Sequence, residues 1–145
     1  MLYNDPTFSD HRGSFSAIDC KEWEQTNVSL NTNKYTFRGM HYQTNPPQTK
    51  YLKVVQGSIV DILYNLKTKE VRTFQLNNQQ AILVDSKYAH GFLTLEDNTT
   101  TVNLCITDKK CDIDNNNIPE EELWKKKVLY YNGKILKKIP TNYFL

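Results

Sequence analysis

The sequence predicts an all-β fold: an antiparallel sandwich or jelly roll in a single domain, residues 1–145. Three observations lead there. Short segments rich in Val, Ile, Thr, Tyr and Phe follow one another at even spacing, separated by turn residues such as Asn77-Asn78 and Asp97-Asn98. No segment carries apolar residues at a 3.6 period over three turns, so no long amphipathic helix is expected. A chain of 145 residues, 39% of them apolar, can bury one full core but not two. Many short strands without helices close into a sandwich or barrel, because closure disposes of sheet edges.

Each element has its own signal. Tyr35 to Gln43 reads as a strand, stopped by Asn45-Pro46-Pro47, since proline cannot donate to a ladder. Lys50 to Leu66, KYLKVVQGSIVDILYNL, gives two strands meeting at Gln56-Gly57-Ser58, where the glycine suits a tight hairpin. Val71 to Leu76, Ala81 to Asp85, Phe92 to Leu95 and Thr100 to Thr107 continue the series. Asp19 to Gln25, DCKEWEQ, reads as a helix with Asp19 at its N-cap. Asn115-Asn116-Asn117 reads as a loop, and Val128 to Ile139 as a hairpin turning at Asn132-Gly133. The runs Lys125-Lys126-Lys127 and Lys137-Lys138 read as solvated faces, with no aromatic residues interleaved for nucleic acid.

Composition excludes several classes. Apolar runs such as Ala81-Ile82-Leu83-Val84 are far too short for a membrane-spanning helix. Met1 to Pro6 has neither a basic head nor an apolar stretch, so no signal peptide is expected. Cys20, Cys105 and Cys111 form no CxxC pair, which argues against a disulfide framework and for a reducing cytoplasm. A net charge of +2 makes no case for a nucleic-acid partner.

Few residues can carry chemistry. His41 lies in Phe37-Arg38-Gly39-Met40-His41-Tyr42-Gln43, and His90 in Tyr88-Ala89-His90-Gly91-Phe92. Arg38 and His41 are three apart on a strand and would face opposite ways unless Gly39 marks a bulge. Lys50 opens the strand after the proline loop and can point inward. A metal site would want a histidine two residues after His41, where Gln43 stands, and His41 with His90 supplies too few ligands. Cys105 falls in an apolar strand, where a thiol is packing rather than a nucleophile.

Five ordered motifs then resemble one family. Ser9-Asp10-His11-Arg12-Gly13-Ser14-Phe15, Gln25-Thr26-Asn27-Val28-Ser29, Arg38 to Gln43 (RGMHYQ), Pro46 to Ile62 and Tyr88 to Asn98 (YAHGFLTLEDN) are similar to the dTDP-4-dehydrorhamnose 3,5-epimerase family. The resemblance implies a double-stranded β-helix (cupin jelly roll), a homodimer exchanging N-terminal strands, and no metal or other cofactor. It implies a dTDP-linked 4-keto-6-deoxyhexose as substrate. His41 would be the base, and Lys50 the cation that stabilises the enolate. Arg12 and Arg38 would hold the diphosphate, for which a forked guanidinium suits better than an ammonium. Gln25 and Asn27 would hydrogen-bond the substrate, Phe15 would wall the nucleoside, and His90 would line the sugar pocket.

The departures bear on the outcome. The family's acid is a tyrosine, and the ungapped count from Asp97-Asn98 puts Lys109 in its place. A missing acid typically costs ~10² to 10⁴ in rate, so Lys109 is the candidate substitute. Ala17 stands where the family has a glutamate, and the late Ser-x-x-Asp element that orients the base histidine is absent. The expectation is a 3,5- or 3-epimerase, and these losses favour inversion at C3 alone over the full double inversion. Two alternatives stay open: a non-catalytic cupin that binds the nucleotide sugar, and a related 3,4-ketoisomerase, although Gln43 stands where ketoisomerases pair their histidines.

Overall fold

The computed structural model describes residues 7–19, 24–44, 47–106, 116–119, 121–122, 130–131 and 134–135. In chain order the strands begin with β1 (Thr7–Asp10), β2 (Gly13–Asp19), β3 (Glu24–Asn31), β4 (Phe37–Tyr42) and β5 (Thr49–Gln56). They continue with β6 (Ile59–Asn65), β7 (Val71–Leu76), β8 (Ala81–Val84), β9 (Tyr88–Thr94), β10 (Thr99–Ile106) and β11 (Asn116–Asn117). A two-stranded ladder, β12 (Tyr130–Tyr131) with β13 (Lys134–Ile135), completes the set. One sheet has the order β1-β2-β3-β10-β5-β8 and the other β11-β4-β9-β6-β7, all antiparallel. No helix among the described residues is long and apolar enough to cross a membrane.

The expected strands appear within a few residues of their sequence bounds, and three local expectations are corrected. Gln56-Gly57-Ser58 is not a hairpin. β5 pairs with β10 and β8 while β6 pairs with β9 and β7, so the chain crosses here from one sheet to the other. Gly57 sits at φ +88°, and a Cβ there would come within 2.4 Å of Thr99 Oγ1. The expected helix over Asp19 to Gln25 is also absent from its described ends. Asp19 closes β2 and pairs with Gln25, which opens β3 after Glu24, because pairing into a sheet overrides local helix propensity. Residues 20–23 lie outside the described set. Asn116-Asn117, expected as loop, adds a short strand to the edge of β4 opposite Tyr42 and His41. Tyr130-Tyr131 and Lys134-Ile135 pair as the expected hairpin requires; Asn132-Gly133 and both lysine runs lie outside the described residues.

Between the sheets, Leu52, Val54, Ile59, Leu76 and Phe92 form a buried cluster. A second cluster, Phe37, Met40, Val60, Ile62, Tyr64, Ala89, Leu93 and Ile118, backs the five-stranded sheet. β6 contributes to both, which explains its nearly unbroken apolar run. On β5 burial alternates, with Lys50, Leu52 and Val54 inward and Tyr51 and Val55 outward. That period of two delivers an ammonium into the interior.

The β4–β9 ladder contains the anticipated bulge. Arg38 pairs with Phe92 and His41 with His90, so three residues of β4 advance against two of β9. Gly39, at φ +136°, permits it: a Cβ there would meet Gly91 Cα at 2.6 Å. The extra residue turns Arg38 and His41 toward the same cavity.

Candidate ligand cavity

The space between the sheets opens beyond Leu52 and Phe92 into a cavity of about 320 Å³. The five-stranded sheet supplies Arg38, His41, His90 and Gly91; the six-stranded sheet supplies Phe8, Asp10, Arg12, Phe15, Ser29, Lys50, Thr101 and Asn103. The floor is polar because β3 and β10 run in register with amides and hydroxyls inward: Asn27 opposes Asn103 and Ser29 opposes Thr101. Of the expected site residues, Arg12, Phe15, Arg38, His41, Lys50 and His90 therefore meet around one space. Asn27 is buried beside it and donates from Nδ2 to Cys105 Sγ at 3.6 Å. Gln25 holds a β3 position opposite Cys105, and Lys109 lies outside the described residues.

Burial and neighbouring cations set the protonation states. The His41 ring is held down to about 4, first by burial and then by the Lys50 charge, against the upward pull of a hydrogen bond with the Asn117 side chain. It is a neutral imidazole at neutral pH, and its Nδ1 is buried without a partner among the described residues. Burial also pushes the Lys50 ammonium below its ordinary value, while Cys105, its cross-strand neighbour, pulls the other way. The Cys105 thiol is pushed up by burial, which keeps it protonated and unreactive. Asp10 is drawn down to about 2, chiefly by hydrogen bonding to Arg12. Arg38 falls to about 10 through burial and the Arg12 charge, and stays cationic at neutral pH.

Phe8, Thr101 and Asn103 line the cavity without having been singled out in the sequence, and Asp61 was not singled out either. Asp61 is fully buried, and its Oδ1 lies 2.6 Å from His90 Nε2, so the carboxylate orients His90 rather than His41. A single acidic residue inside the apolar run Ile59-Val60-Asp61-Ile62-Leu63 was the available signal. Asn27 Oδ1 and Asn103 Oδ1 are buried acceptors without partners among the described residues. Such groups cost roughly 1–3 kcal/mol each, and a polar ligand would satisfy them. Among the described residues, no group of three or more His, Cys, Asp or Glu side chains gathers as a metal ligand set.

Two facing antiparallel sheets with imidazoles, guanidiniums and an ammonium converging between them define a cupin-type jelly roll with a cationic ligand cavity. The sequence profile described as dTDP-4-dehydrorhamnose 3,5-epimerase matches residues 1–116, and the chain belongs to that family. The dTDP-4-dehydrorhamnose 3,5-epimerase of Mycobacterium tuberculosis is 34% identical over 105 residues, covering 67% of this chain and 52% of that protein. The chain spans about half the length of the curated relatives it matches. The Bacillus anthracis enzyme of the same name, solved with TDP and PPi bound, superposes with TM-score 0.62 at 27% identity, over 90% of this chain and 82% of that one. ChmJ, a 3'-monoepimerase from Streptomyces bikiniensis in complex with dTDP-quinovose, superposes with TM-score 0.63 at 21% identity, over 90% of this chain and 74% of that one; it supports the fold.

Proposed function

We propose that the protein is a nucleotide-sugar epimerase acting on a dTDP-4-keto-6-deoxyhexose, inverting C3. The single observation that carries this is the pairing, in one cavity, of a neutral buried imidazole at His41 with the Lys50 cation, beside two arginines. The 4-keto group acidifies the C3 hydrogen. His41 takes that proton, the C3–H electron pair moves into an enolate, and the negative O4 rests against the Lys50 ammonium. Reprotonation at C3 from the opposite face collapses the enolate to the inverted ketone; Lys109 is the candidate donor. Arg12 and Arg38 hold the diphosphate, Phe15 packs on the nucleoside, and Gln25, Asn27 and His90 bind the sugar side. The TDP held by the Bacillus anthracis relative supports thymidine as the nucleoside.

The active form is a homodimer in a reducing cytoplasm. The outer face of the six-stranded sheet supports the dimer, since Leu30, Tyr51, Val55 and Leu83 lie exposed there, Leu83 at 67%. The free thiol of Cys105 fits the compartment.

The weak basicity of His41, near 4, favours a second reading: a cupin that binds the nucleotide sugar without turning it over. Stereochemistry decides between them. Incubation with dTDP-4-keto-6-deoxyglucose, followed by proton couplings at C3 and C5, is expected to show inversion at C3. Unchanged configuration at both carbons under saturating substrate would contradict the epimerase.

A further inference from the structure

We infer that Asn31 is a positioning residue of the anion site, one that fixes the Arg38 guanidinium toward the cavity without neutralising it. The inference rests on the proposed diphosphate ligand and adds to it the residue that presets one of the two arginines. Asn31 does not line the cavity; it is 1% exposed, behind Arg38. Its Oδ1 accepts from Arg38 Nε at 2.7 Å, and its Nδ2 donates to the Thr99 carbonyl at 3.0 Å. Those two partners dictate the amide's orientation. Exchanging O and N would set an NH₂ against a guanidinium N–H and an oxygen against a carbonyl oxygen. With Nε spent on Asn31, the Nη edge of Arg38 remains for the cavity that the side chain lines.

Arg12 is held in a different way. Its Nε donates to both Asp10 carboxylate oxygens at 3.1 and 2.9 Å, its Nη2 donates to Oδ2, and its backbone N–H donates to Oδ1 at 2.8 Å. The backbone joins the two supports. Asn31 pairs with Gly13 on one side and Thr99 on the other, and Thr32 N donates to the Arg12 carbonyl at 3.0 Å. One arginine thus has a carboxylate partner and the other a neutral amide. A carboxylate at position 31 would make a second neutral pair and remove the charge that an incoming diphosphate must meet. An amide keeps the geometry and adds no negative charge to the one Arg38 already feels from Asp10.

Geometry and charge can be separated by substitution, because Asn31→Ala removes the anchor without changing charge, while Asn31→Asp keeps the shape and adds a negative charge. The probes are TDP, inorganic pyrophosphate and thymidine, titrated calorimetrically into the full chain. Asn31→Ala is expected to weaken TDP and pyrophosphate about tenfold and to leave thymidine unchanged. Asn31→Asp is expected to weaken both phosphate ligands by at least as much. In an Arg38→Gln background either change should add less than about twofold, since Asn31 acts through Arg38. If Asn31→Ala does not fold, Asn31→Asp and its combination with Arg38→Gln carry the test. Wild-type affinity for TDP in both Asn31 variants would overturn the inference alone, as would an equal loss for thymidine, which marks a merely structural role. A wild-type protein that binds neither TDP nor pyrophosphate would overturn the proposed ligand and this inference together.

Discussion

His41→Gln should remove a block of acid sensitivity from the fold. In the native protein the imidazole titrates at about 4 rather than 6.5, because burial and the Lys50 charge disfavour its protonated form. Below pH 6.5 the unfolded chain therefore binds a proton that the folded protein refuses. Stability is full above about 6.5 and is lost as pH falls toward 4. At about 1.4 kcal/mol per pH unit, the complete loss is roughly 3 kcal/mol, and most of it lies between pH 7 and 4.5. Asp10 works in the same direction but lower, between 3.8 and about 2, so it contributes little in that interval. Urea unfolding of wild type and His41→Gln at pH 7 and 4.5 isolates the imidazole's contribution. Wild type should lose about 2 kcal/mol more than the variant across the interval. An equal loss in both proteins would refute the claim that the fold holds His41 neutral.

Further consequences follow from neighbouring groups. Lys50→Met removes the second-largest cause depressing His41, so the His41 ring resonance should titrate closer to 6.5; an unmoved midpoint would show that burial alone sets it. Asp61→Asn takes the carboxylate from His90 in a fully buried position and should lower stability by roughly 1.5–3 kcal/mol in thermal unfolding, whereas an unchanged Tm would deny the pair any role in the fold. Gly57→Ala forces a Cβ against Thr99 at positive φ and should cost about 1–3 kcal/mol by urea denaturation, while a neutral result would contradict the tight corner.

Much of this architecture was legible because strand periodicity is local. Lys50 opens its strand after the proline loop, where an ammonium can point inward, and the alternating burial of β5 turns it into the interior. Gly39 between Arg38 and His41 announced the bulge, since only a register shift brings residues three apart to one face. Other features depend on partners distant in sequence. Gly57 looks the same in a hairpin and in a crossing between sheets; the choice is made by β10 and β9, more than thirty residues downstream. Asp61 could be flagged as an acid in an apolar run, but its partner His90 is 29 residues away. Asn31 carries no signal of its own in the sequence, and its role emerges only when Arg38 and Thr99 fold against it. Asp19 to Gln25 misled because short helical propensity yields to sheet pairing with strand neighbours.

Proton abstraction next to the 4-keto group is the step on which the account depends. Deuterium incorporation into dTDP-4-keto-6-deoxyglucose in D₂O, read by mass and NMR with His41→Ala as control, measures it without requiring product to accumulate. Deuterium at C3, abolished in the control, is the expected result. No exchange at C3, in a protein that demonstrably binds the nucleotide sugar, would contradict it.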